Sequence, residues 1–129
     1  MVLNKLPLPL LELAVLFTAR EWNCQHEWYM HEKLARKAGL EPRVFEAIAA
    51  GGEPQGMSAD KALVYKACKQ AHKTGRLDDA TFAALRERFG LDGVLDLLVL
   101  NGYYSAMAMV LNTAGMPLPD NAMPPLKPL

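Results

Sequence analysis

The chain has 129 residues, 51% of them hydrophobic, with fourteen basic and fourteen acidic side chains. That length supports one ordinary core, and the balanced charge lacks the basic excess with which a nucleic-acid binder displaces counterions from phosphate. Two cysteines make no disulfide framework, so a reducing, cytoplasmic setting is expected.

In chain order, the opening MVLNKLPLPL lacks the clean apolar run and small-residue cleavage site of a signal peptide. Pro7 and Pro9 suit the first turn of a helix, where a missing N–H does no harm, and LLELAVLFTAREW follows to Trp22 without a breaker. A second helix is expected from Cys24 to Ala38, stopped by Gly39. Pro42 opens a short third one, RVFEAIAA, which ends at Gly51-Gly52. Ser58 can cap a fourth that runs to Thr74 before Gly75. Asp78 can cap a fifth that ends near Phe89-Gly90, and a long sixth covers about Asp92 to Thr113. The tail from Met116 to Leu129 holds five prolines and should be extended. No segment alternates with the period of a strand. The reading is an all-α domain of about six helices over residues 1–115, followed by a proline-rich tail over 116–129.

Two of these helices are unusual. Leu10 to Trp22 is apolar nearly all the way round, with Glu12, Arg20 and Glu21 as exceptions. The sixth helix has one stripe at Leu95, Leu98, Val99, Gly102, Ala106, Met109 and Val110, and a second at Leu97, Leu100, Tyr104, Met107 and Leu111. A helix apolar on all sides must be covered on all sides. A small domain is hard pressed to provide that cover, which points to a partner chain, with the second stripe as the surface that meets it. Val94–Leu111 is the most apolar stretch, but Asp96, Asn101 and Gly102 interrupt it, so no membrane span is expected.

The second helix carries the chemistry. Its polar arc holds Gln25, His26, Tyr29, Glu32, Lys33, Arg36 and Lys37, and its opposite arc holds Cys24, Glu27, Trp28, His31, Leu34, Ala35 and Ala38. Residues three and four apart on a helix are neighbours, so Cys24, Glu27 and His31 line one edge of the apolar arc. Ionisable groups among core-facing residues must bond internally or to something bound, and burial moves their pKa values toward the range of acid/base work. Glu12, in the apolar first helix that a Trp22-Asn23 turn folds against the second, is the third candidate. As a carboxylate in a first helical turn it would also simply complement the helix dipole.

His26-Glu27 does not make a zinc-protease motif, because Met30 stands where the second histidine is required; no metal or organic cofactor is expected. Trp22, Trp28, Tyr103 and Tyr104 are candidates for the wall of an apolar substrate pocket. Lys61, Lys66, Lys69 and Lys73 read as a solvated face, Cys68 as a core residue, and His72 as a cation near a helix C-terminus.

The run ELAVLFTAREWNCQHEWYMHEKLARKAGL resembles the signature hairpin of the carboxymuconolactone decarboxylase and alkylhydroperoxidase D superfamily. In the peroxidase branch the pattern is Glu, eleven residues, Cys-x-x-Cys, three residues, His; Glu12, Cys24 and His31 match it, while Glu27 replaces the second cysteine. The Glu-x-x-x-His pair of the decarboxylase branch is matched by Glu27 and His31. GRLDDATFAALRERFG and LDLLVLNGYYSAMAMVLNTAGMPLP extend the resemblance over nearly the whole chain.

The resemblance implies the alkylhydroperoxidase D-like helical fold in closely packed homo-oligomers, often trimers or hexamers. It also implies a lyase or isomerase for a small organic acid or lactone. His31 would carry a proton to or from the carbon that loses CO2, Glu27 would set its tautomer and charge, and Glu12 would complete the relay. Relatives of this type carry a further helical segment ahead of the position of Leu6, so part of a pocket is expected to lie outside this chain. Two alternatives stay open: a thiol-dependent peroxidase using Cys24 with an external resolving thiol, and a non-catalytic oligomeric binding protein. Glu27 cannot resolve a sulfenic acid, which favours the decarboxylase branch on chemical grounds.

Overall fold

The computed structural model describes residues 6–129, so the reading of the first five residues lies outside the described part. Those residues contain five helices: α1 (Leu8–Glu21), α2 (Gln25–Lys37), α3 (Pro42–Ala49), α4 (Ala59–Thr74) and α5 (Asp79–Ala114). No strand occurs among the described residues.

The helix ends follow local chemistry. Ser58 Oγ accepts from the Lys61 backbone N–H at 3.3 Å, and Asp78 Oδ1 accepts from Thr81 N–H at 2.7 Å, each satisfying a donor with no partner inside the helix. Between α1 and α2, Asn23 takes a left-handed conformation (φ 49°), which lets Cys24 N–H donate back to Ala19 O at 2.8 Å. The expected fifth and sixth helices are two arms of α5. They meet at Gly90, whose φ of 75° and ψ of 169° suit only a residue without a Cβ.

Helix α1 is the centre of the molecule. Leu10 and every residue from Glu12 to Arg20 are buried. The cover comes from α2, α3, α4 and α5 of the same chain. The expectation that α1 needs a partner chain is therefore corrected: four helices arranged around it supply what a two-layer packing could not.

The stripe assignment on α5 is also corrected. Leu97 and Leu100 are fully buried and Tyr104, Met107 and Leu111 partly so, whereas Leu95, Val99, Met109 and Val110 are about half exposed. Asn101 decides the rotation. Its Nδ2 donates to Leu97 O (2.8 Å) and toward Cys68 Sγ, and its Oδ1 accepts from Thr18 Oγ1 (3.3 Å) and His72 Nε2 (3.0 Å). Turning the helix to bury the other stripe would strand these polar groups. His72, expected as a helix-terminal cation, is instead part of this cluster, and burial pushes its pKa down.

By length and apolar content alone α5 would suffice to cross a membrane, despite Asp96, Asn101 and Gly102. Its inner face nonetheless packs on α1 and α4.

The tail does not reach outward as a free arm. After a short 3-10 turn at Pro119–Asn121 it lies back on the α1–α2 corner, where Leu126 is buried. Gln25 holds it at both backbone atoms of Leu126 (2.8 Å each), and Arg20 donates to Lys127 O at 2.7 Å.

Because Leu100 is a core residue, Leu100→Ala should lower the free energy of urea unfolding by about 2–5 kcal/mol. Leu100→Glu should unfold the chain rather than separate intact copies, as circular dichroism would show.

Candidate active site

Glu12 lies on α1 and His31 on α2, and His31 Nδ1 is 2.8 Å from Glu12 Oε2. Both side chains are nearly enclosed, the imidazole at 15% exposure and the carboxyl at 8%. Glu12 falls beyond the first turn of α1, which begins at Leu8, so dipole compensation does not account for it. The Asn23 turn returns α2 along α1, which sets the two residues side by side. With Glu12 as a carboxylate, Nδ1–H is the donor.

Glu27 sits one helical turn before His31 and is 4% exposed. Neither of its carboxyl oxygens has a hydrogen-bond partner among the described residues. The hydrogen bond expected within the Glu27–His31 pair is absent, and Glu12 takes that place. Burial pushes the Glu27 pKa from its ordinary 4.5 up to about 7, partly offset by the nearby His31. A carboxylic acid poised near neutrality and left without partners is available to something that binds beside it.

Cys24 is the residue just before α2 and is buried. Burial pushes its thiol pKa up, backbone N–H groups of Glu27 and His26 pull it partly back, and the Glu27 charge raises it further. The thiolate is thus disfavoured. Cys68 is wholly enclosed and pushed up to about 12.

The aromatic candidates separate. Tyr104 packs edge-on against His31, with ring centroids 5.2 Å apart, and Tyr103 packs against Tyr104 at 5.1 Å. Trp28 is a core residue whose indole N–H donates to Glu32 at 3.2 Å. Trp22 stands at the far end of α1, donating to Ser105 Oγ at 2.9 Å. Ten residues of helix separate it from Glu12, roughly 15 Å along the axis. Neither tryptophan joins the acid–histidine group. Only the helix crossing distinguishes Tyr104 from its aromatic neighbours; its place in the inner stripe was the one sequence signal that could have singled it out.

No group of three or more His, Cys, Asp and Glu side chains among the described residues is arranged to hold a metal ion. Of the five surface clefts described, the largest, about 640 Å³, runs along α4 past Met57, Tyr65, Lys66 and Lys69. None of the five is lined by Glu12, Glu27 or His31.

Comparison of the chain with protein-family models, with curated proteins and with solved structures finds no match in any of the three. The likeness of the α1–α2 hairpin to the decarboxylase superfamily therefore rests on its residues alone.

The raised pKa of Glu27 has a consequence for stability. The folded chain holds this proton more tightly than the unfolded one, so stability should fall as pH rises from about 4.5 to 7 and then level off. The interval corresponds to about 3 kcal/mol. Glu27→Gln should remove that slope, and at pH 8 it should be more stable than the parent by up to about that amount in urea titrations.

Proposed function

We propose that the chain is an acid/base enzyme of the carboxymuconolactone decarboxylase type, acting on a small organic acid or lactone. The observation that carries this reading is Glu27: a buried carboxyl with no hydrogen-bond partner, poised near neutral pH beside a histidine that a second carboxylate holds. Two carboxyl groups in different environments divide the roles. Glu12, bonded to His31 at Nδ1, orients the ring. Glu27, unbonded and easily protonated, is the proton donor to substrate.

Decarboxylation of such a substrate breaks the bond between carbon and its carboxylate and releases CO2. The electron pair remains on carbon, conjugated with a neighbouring carbonyl or double bond. One proton must reach that carbon, and Glu27 supplies it. His31 Nε2 takes one proton from solvent in each cycle and passes it to the Glu27 carboxylate, which restores the acid that protonated the carbon. Tyr104, packed on the imidazole and kept protonated by burial, shields this exchange from water.

The geometry gives the thiol route little support. A peroxidatic cysteine needs an accessible thiolate, and Cys24 is 1% exposed with a raised pKa.

The test is CO2 release from a panel of carboxylated γ-lactones and β,γ-unsaturated acids. His31→Ala and Glu27→Gln should each slow turnover by about 10²–10⁴-fold with helical content intact. Cys24→Ser should retain the parent rate, and organic hydroperoxide with dithiothreitol should be consumed no faster than by buffer. Wild-type turnover in both acid/base variants would refute the assignment, and rapid peroxide reduction lost in Cys24→Ser would replace it with the thiol reading.

A further inference from the structure

We propose that the cleft between the C-terminal ends of α1 and α3 and the second half of α4 binds a small phosphate monoester with an apolar or aromatic body. This site is separate from the acid–histidine group and does not depend on the reaction assigned to it.

Arg20 is the starting point. It is 7% exposed, yet its contacts are two neutral oxygens: Nη1 donates to Asn23 Oδ1 at 3.2 Å and Nη2 to Lys127 O at 2.7 Å. Nε is enclosed and has no partner. No carboxylate among the described residues forms an ion pair with the guanidinium. Burying a charge is costly unless an opposite charge compensates the lost water, and this chain supplies none. Capping of the helix end does not account for the cation either. The Thr18, Ala19 and Arg20 carbonyls already accept from the N–H groups of Trp22, Cys24 and Asn23 at 3.2, 2.8 and 3.1 Å.

Arg20 lines a cleft of about 460 Å³ together with Lys69 and Lys73 of α4. That volume is in the range of small-molecule sites. The two lysines are four residues apart and so share one face of the helix. Both are exposed, and neither has an ion-pair partner among the described residues. Glu21 is the one acidic side chain in the lining, so three cations face a single carboxylate. The apolar part of the lining is Phe17, Ile48 and Tyr65, with the two rings edge to face at 5.4 Å. Burial keeps the Tyr65 hydroxyl protonated, which leaves it a donor.

This inventory selects a phosphate monoester. One guanidinium, two ammonium groups and a phenol offer more donors than the two oxygens of a carboxylate can take, whereas a phosphate ester presents three strong acceptor oxygens. Its charge at neutral pH, about −1.5 to −2, is close to the surplus of positive charge in the lining. The aromatic floor adds what inorganic phosphate cannot use, contact with a flat apolar body. The larger cleft along α4 shares Tyr65, Lys69 and Lys73, so a longer body has room to continue.

The experiment is calorimetric titration of the full chain with phenyl phosphate, with inorganic phosphate and benzoate compared at the same ionic strength. Phenyl phosphate should bind saturably at one site per chain, roughly tenfold or more tighter than either comparison ion. Lys69→Glu and Lys73→Glu, both at exposed positions, should keep the helical circular dichroism and each weaken binding by roughly tenfold or more. Arg20→Gln should abolish binding, but Arg20 also holds the tail, so the lysine variants decide the matter. Absence of saturable binding at millimolar phenyl phosphate would overturn the proposal, as would binding that both charge reversals leave unchanged. Equal affinity for benzoate would overturn the choice of phosphate, and equal affinity for inorganic phosphate the apolar body. None of these readouts involves turnover, so this proposal and the acid/base assignment fail separately.

Discussion

Everything distinctive about this molecule follows from the enclosure of α1. A helix with hydrophobic residues on every side has no face to give to water, so the other four helices gather around it. Enclosure determines what the polar residues of that helix can do. Thr18, buried in its last turn, must find partners inside, and it takes them from Ala14, Asn101 and His72. Glu12 is drawn into the same environment nearer the start of the helix and takes His31. The two polar contacts sit about 1.7 turns apart, the first tying α1 to α4 and α5 and the second to α2.

The two contacts differ in how completely the groups around each are satisfied. In the Asn101 cluster the amide has partners at both Nδ2 and Oδ1, and burial holds His72 toward its neutral form. Such a network fixes the rotation of α5 and has nothing left to offer a ligand. Around His31 the accounting is incomplete, because Glu27 is enclosed without a hydrogen bond. Natural cores seldom retain such a group unless it serves a purpose. Stability is given up at Glu27 above neutral pH, because burial disfavours its charged form.

Rotation of α5 links the core to the outer surface. Once Asn101 points inward, Leu97 and Leu100 follow it into the core, and Leu95, Val99 and Val110 are left outside. The same turn carries Tyr104 onto the His31 ring and leaves Tyr103 half in water beside it. One buried amide therefore helps to place both the wall of the site and the apolar face next to it.

Local chemistry made the helices readable in the sequence. Ser58 and Asp78 cap as their positions suggest, Pro42 opens α3, and Gly75 and Gly90 stop or break helices because they alone tolerate a positive φ without strain. Helical periodicity also placed Glu27 and His31 on one arc of α2, and the near-total apolarity of α1 foretold its burial. Tertiary structure decided the rest. Periodicity states that a helix has two apolar stripes but not which one faces inward, and a single polar residue between them, Asn101, settled that through partners 29 to 83 positions away. Spacing likewise put Glu27 within reach of His31 but could not say that Glu12, 19 residues earlier, would make the bond. Hydrogen bonds across a helix crossing depend on the angle and depth of packing, and those are properties of the assembled core.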